Sequence, residues 1–110
     1  MKFTQSLRAL MTVYVDKVEI EWNGKLWCHM VADSLEELHS FSRQLGLKRS
    51  WFQGDASSPH YDITLLLRDK AISLGAVEVS KNQLVLYAQV LRQQQFYEQK
   101  FCEKNQLALF

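Results

Sequence analysis

Asn23-Gly24 constrains the architecture of this chain more than any other pair of residues. It stands between Val18-Glu19-Ile20-Glu21-Trp22, which alternates apolar with acidic side chains, and Leu26-Trp27-Cys28-His29-Met30-Val31. Asparagine and glycine both accept positive φ, so the pair closes a two-residue hairpin between those runs. Thr12-Val13-Tyr14-Val15, β-branched and aromatic, reads as a further short buried strand that stops at Asp16. The N-terminal third is therefore β.

Helical signals follow. Ser34-Leu35-Glu36-Glu37 has the capping-box spacing and opens a run with Leu35, Leu38, Phe41 and Leu45 at helical intervals, which Gly46 closes. Residues 48–53 read as another short strand and Gly54-Asp55-Ala56-Ser57-Ser58-Pro59 as loop. Asp62 is placed to cap a second helix through Leu66, Leu67 and Leu74, ended by Gly75, with Ala76-Val77-Glu78-Val79 as the next strand. Ser80-Lys81-Asn82-Gln83 repeats the capping-box logic and begins the last helix. That helix is apolar on nearly every side from Leu84 to Leu91, then carries Gln93-Gln94-Gln95 and a thin stripe of Val90, Tyr97 and Phe101. The expectation is an α/β or α+β layer, a small mixed sheet of about four short strands packed with three helices. Residues 1–104 would form one globular domain, with the C-terminal helix followed by an extended tail over 105–110.

With 110 residues, 47% of them hydrophobic, the chain can bury one core. Thirteen basic against twelve acidic residues leave a net charge of +1, which supplies no field to hold nucleic acid, so any link to DNA is at most indirect. Cys28 and Cys102 have neither the density of a secreted scaffold nor zinc-site spacing, and a reduced, cytoplasmic setting is the simpler expectation. Gln5, Arg8 and Asp16 interrupt the opening stretch before a signal sequence can form. No run approaches the roughly 20 apolar residues that span a bilayer, so no membrane partner is expected.

Two polar clusters carry possible chemistry in the body of the chain. Asp16 at a strand end, His29 in or beside a strand, and His60 with Asp62 ahead of a helix are the residue types of a His/carboxylate catalytic or divalent-metal site, if the strands bring them to one sheet edge. The plainer alternative makes Asp62 a helix cap, Asp16 a strand terminator and His29 a packed residue with one hydrogen bond. Trp51 and Phe52, preceded by Lys48 and Arg49, are the mix that stacks a base and pairs with its phosphate, and equally the mix of an ordinary core edge with solvated charges. Ser57-Ser58 lacks the surroundings of a phosphate loop or a nucleophile and is assigned no chemistry.

Met11-Thr12-Val13-Tyr14-Val15-Asp16, Cys28-His29-Met30-Val31-Ala32-Asp33, Trp51-Phe52-Gln53-Gly54-Asp55 and His60-Tyr61-Asp62-Ile63 together resemble a family of small bacterial and phage proteins known as domain of unknown function 4031. The resemblance spans residues 11–79 and implies relatives without implying an activity.

The last five residues, Gln106-Leu107-Ala108-Leu109-Phe110, resemble the peptide by which bacterial replication and repair proteins grip the DNA polymerase III β sliding clamp. Leu109 and Phe110 can enter one apolar pocket with Leu107 on an adjoining wall, each burial worth roughly 1.5–3 kcal/mol before ordering costs. Gln106 brings an amide donor and a carbonyl acceptor to fix register. The resemblance implies a clamp partner and a role in modulating or blocking replication or repair, in a phage-encoded protein or a bacterial one. The rivals are a metal-dependent nuclease or nucleotide-processing enzyme recruited to the clamp, a nucleotide-binding sponge, and a tail that folds back into its own core. No cofactor beyond a divalent metal is expected.

Overall fold

The computed structural model describes the backbone of residues 12–55 and 58–108, and the side chains of those up to Lys100. Asn23 and Gly24 have φ of 53° and 75° and join β2 (Ile20–Trp22) to β3 (Lys25–Ala32) in antiparallel register, Ile20 opposite Trp27 and Trp22 opposite Lys25. β3 is the longest strand and the organiser of the sheet. It pairs antiparallel with β1 (Val13–Asp16), Val15 opposite Met30, and antiparallel with β4 (Tyr61–Thr64), His29 opposite Asp62. β5 (Val77–Val79) lies parallel to β1. The sheet is therefore mixed and has five strands, and the fold is α+β.

The additional strand is β4, where a helix start was expected. Tyr61-Asp62-Ile63-Thr64 alternates buried with more exposed side chains, the period of a strand with one face on the core. The cap of the following helix is Thr64, whose Oγ1 accepts from the Leu67 N–H at 3.3 Å. Asp62 is not a helix cap. Residues 48–53 form no strand: Arg49–Trp51 make one 3₁₀ turn, and only Gln53 reaches the sheet, through an isolated bridge to His60.

Three helices are present among the described residues: α1 (Leu35–Gln44), α2 (Leu65–Ser73) and α3 (Lys81–Ala108). Ser34 Oγ accepts from the Glu37 N–H at 3.1 Å, and Gly46 at φ 84° follows the end of α1. At α3 the capping box is reciprocal, Gln83 N–H to Ser80 Oγ at 3.2 Å and Ser80 N–H to Gln83 Oε1 at 3.3 Å. Leu38, Phe41 and Leu45 from α1 and Leu84, Ala88 and Leu91 from α3 close over Val13, Val15, Met30, Tyr61 and Ile63 of the sheet. α2 fully buries only Ala71; of the leucines placed on this helix, Leu67 packs against the core together with Leu65, whereas Leu66 and Leu74 face solvent.

Past Leu91, α3 leaves the core, and from Phe96 to Lys100 every side chain is exposed. Its backbone stays helical through Gln106, Leu107 and Ala108, in place of the extended segment expected after residue 104. No glycine or proline follows Gly75, and Lys, Glu, Gln, Leu and Ala are strong helix formers, so nothing local stops the helix. Leu109 and Phe110 lie outside the described residues, as do residues 1–11 of the expected domain. Among the described residues no helix is long and apolar enough to cross a membrane.

Two substitutions test this layout by chemical denaturation. Leu38→Ala is expected to lower stability by about 2–5 kcal/mol, since Leu38 is fully buried. Thr64→Ala is expected to cost about 1 kcal/mol as a lost cap, and an unchanged midpoint there would contradict the assignment of the α2 start.

Candidate metal centre

Sheet register brings the four polar candidates together. His29 and Asp62 are direct cross-strand partners, His60 lies two residues before Asp62 on the same face, and Asp16 ends β1 one step beyond the Val15 and Met30 pair. Asp16 has no exposed surface. Its Oδ1 accepts the His29 backbone N–H at 2.9 Å and its Oδ2 meets His29 Nδ1 at 2.8 Å. A buried carboxylate at that distance is the acceptor, so Nδ1 carries the hydrogen and Nε2 of neutral His29 presents a lone pair.

That Nε2 points at Asp62 Oδ1, 3.8 Å away. His60 Nε2 approaches the same oxygen at 3.1 Å, and its Nδ1 is held by the Ser58 carbonyl. The two imidazoles meet edge to face, with centroids 5.1 Å apart. One ligand atom from each of His29, His60 and Asp62 lies within 4.8 Å of the others. Ligands about 2.1 Å from an ion stand roughly 3–3.5 Å apart in tetrahedral or octahedral shells, so a modest closing rotation of the rings completes a two-histidine, one-carboxylate set.

Both histidines already have the outer partners that metal ligands need. A carboxylate on one Nδ1 and a backbone carbonyl on the other fix each tautomer and leave both Nε2 atoms for the shared centre. Arg68 of α2 anchors the frame, its Nη1 donating to the carbonyls of Asp16 at 3.0 Å and Val18 at 3.2 Å. Its Nε, 3.9 Å from Glu78 Oε2, has no hydrogen-bond partner. Neither Arg68 nor the Ser58 carbonyl is legible from spacing. The one trace of Arg68 is a lone cation after Leu65-Leu66-Leu67.

Electrostatics set the state of the centre without an ion. Burial lowers the pKa of His60, but the hydrogen bonds to Asp62 and Ser58 and the charges of Asp62 and Asp16 outweigh it, and the net shift is upward. Asp62 is lowered, first by the hydrogen bond from His60, against a smaller opposing effect of burial. Each shift favours the charged form, imidazolium beside carboxylate, and a cation would enter in competition with a proton on His60 Nε2. Cys28 is not a nucleophile here, since burial pushes its thiol up to about 12.

The expected nucleotide-stacking pair is split. Trp51 is half-exposed, with Lys48 Nζ 5.8 Å over its ring, whereas Phe52 packs against His39 and Tyr61 with centroids at 4.7 and 5.4 Å, and Arg49 sits 5.4 Å from its ring centre. Residues 13–91 match the family described as "Protein of unknown function (DUF4031)". No curated protein and no solved structure matches the chain.

Replacing Asp62 by Asn tests the electrostatics. In metal-free protein the His60 ring should titrate above its ordinary 6.5, and in Asp62→Asn it should drop towards or below that value, because burial then acts with less opposition. The stability from His60 is complete below about 6.5 and is lost as pH rises through its raised folded value. That from Asp62 is complete above about 3.8 and is lost as pH falls through its lowered value. The stability gap between wild type and variant should thus be widest between those two pH values. NMR of the histidine rings and denaturation at several pH values read both effects.

Proposed function

Since this chain belongs to the DUF4031 family, whose description names no activity, we propose from its own geometry that it is a metal-dependent hydrolase of phosphate esters in nucleic acid or nucleotides. The observation that carries this is the convergence of His29 Nε2, His60 Nε2 and Asp62 Oδ1, with both Nδ1 atoms already engaged. Two imidazoles and a carboxylate suit a zinc-like or iron-like divalent ion and leave coordination positions open. Such an ion supplies Lewis acidity and a water activated near neutral pH. Asp16 holds the His29 ring and fixes its direction, and Arg68 holds the backbone of Asp16. Asp62, at 44% side-chain exposure, opens the centre to a large substrate.

Delivery is the second part of the proposal, carried by Gln106-Leu107-Ala108-Leu109-Phe110. This peptide would dock the protein on the bacterial sliding clamp in the cytoplasm, in a bacterial or a phage-encoded setting, so that the body acts on DNA the clamp already holds. The last turn of a helix lacks partners for its final carbonyls, so unwinding residues 106–108 into an extended ligand costs little. Occupying the clamp would by itself also compete with host polymerases.

Calorimetry with zinc, manganese and ferrous ions is expected to give one site per chain. His29→Ala and His60→Ala should abolish it, and Asp16→Asn should weaken it about 10–100-fold. A divalent-ion-dependent phosphodiesterase activity, removed by EDTA, should follow the same series. Absence of stoichiometric binding by any of these ions overturns the hydrolase reading. Deleting residues 106–110 should abolish a complex with a β clamp while sparing metal binding and melting temperature, and equal clamp binding by both chains removes the delivery reading.

A further inference from the structure

Strand alternation sends Tyr61 to the side of the sheet opposite His60 and Asp62. There its hydroxyl meets His39 Nδ1 at 2.9 Å, and the two line a cavity of about 350 Å³ with Ser42, Arg43, Leu47 and Arg49. The volume is in the lower range of small-molecule sites. Its charge is one-sided: Arg43 comes from the last turn of α1 and Arg49 from the 3₁₀ turn, and no acid lines the cavity. Among the described residues neither guanidinium makes an ion pair, and Arg49 only rests against the Phe52 ring.

Two cations around one concavity repel each other unless an anion joins them. Planar guanidinium forks match the oxygens of phosphate better than any other side chain does. We propose that this cavity is a phosphate-binding pocket, in which Arg43 and Arg49 grip the phosphate group of a small ligand and His39, braced by Tyr61, donates a third hydrogen bond. Ser42 does not donate, because its hydroxyl is already directed at the carbonyls of Leu38 and His39. With the Tyr61 hydroxyl donating to Nδ1, the His39 hydrogen sits on Nε2.

His39 is also the reporter. Burial first, then the charges of Arg49 and Arg43, hold its pKa down at about 4, so the ring is neutral near pH 7. The groups on it from neighbouring elements are Arg43 of its own helix, Arg49 of the 3₁₀ turn and the Tyr61 hydroxyl of β4. A phosphate between the guanidiniums cancels much of their field and therefore raises that pKa.

The test is titration of the full chain with inorganic phosphate in EDTA, at constant ionic strength set by chloride, followed by NMR of the histidine rings. Expected are a saturable shift of the His39 ring and an upward move of its pKa. Arg43→Gln and Arg49→Gln should each weaken binding roughly tenfold, and the double variant should abolish it, with melting temperature and the His60 titration unchanged. No saturable shift at millimolar phosphate overturns the pocket, as does an undiminished shift in the double variant. A response at His29 and His60 in place of His39 also overturns it. EDTA removes the metal, and neither arginine belongs to the metal centre, so this proposal and the hydrolase reading fail separately.

Discussion

A carboxylate without exposed surface must find its donors inside the protein, and Asp16 finds them on His29. One oxygen takes the backbone N–H at the end of the β1 and β3 ladder, and the other takes the ring Nδ1–H. The first contact ends regular pairing between the strands, and the second sets the direction of the imidazole. Burying a carboxylate costs several kcal/mol if it is uncompensated, so the arrangement tolerates little movement. The Arg68 guanidinium, fixed on the carbonyl of the same residue, places a positive charge close by. A cation beyond the His29 ring would supply another, and this is the electrostatic logic of a carboxylate, histidine and metal relay.

The rest of the fold supports that contact. β3 runs through the middle of the sheet with β1 and β2 along it and β4 across from them, so three separated stretches of sequence supply one cluster. β4 serves both faces. His60 and Asp62 lie on the side of His29, while Tyr61 and Ile63 lie in the core beneath α1 and α3. Tyr61 thereby joins the core to the arginine-lined cavity through His39, and one four-residue strand borders two polar sites of opposite charge preference.

The helical parts differ in what they contribute. α1 and the first half of α3 close the core, and Leu35 N–H donates to Gln94 Oε1 at 2.8 Å to tie the two together. Tyr14 and Tyr87 stack at 3.9 Å between β1 and α3, beside Asp33, whose carboxylate accepts from Tyr14 and from the Thr12 N–H. These contacts hold the end of β1 remote from Asp16. Beyond them, the side chains of α3 from Phe96 to Lys100 are exposed.

Local chemistry was legible in the sequence because each signal is complete within a few residues. Asn23-Gly24 determined a hairpin, Ser34 and Ser80 determined the starts of α1 and α3, Gly46 and Gly75 marked the ends of α1 and α2, and Leu38, Phe41 and Leu84 declared the buried faces. Asp16, His29, His60 and Asp62 could be named as a set from their chemical types and strand positions. Their convergence was decided by pairings between residues tens of positions apart, above all His29 opposite Asp62, which no local pattern encodes. Tyr61-Asp62-Ile63-Thr64 shows why: its alternation permits a strand, and its aspartate equally permits a cap, and only the open edge of β3 selects the strand by satisfying its backbone hydrogen bonds. Arg68 and the cavity of Arg43 and Arg49 belong to the same class, because charges on different elements become neighbours only when those elements pack.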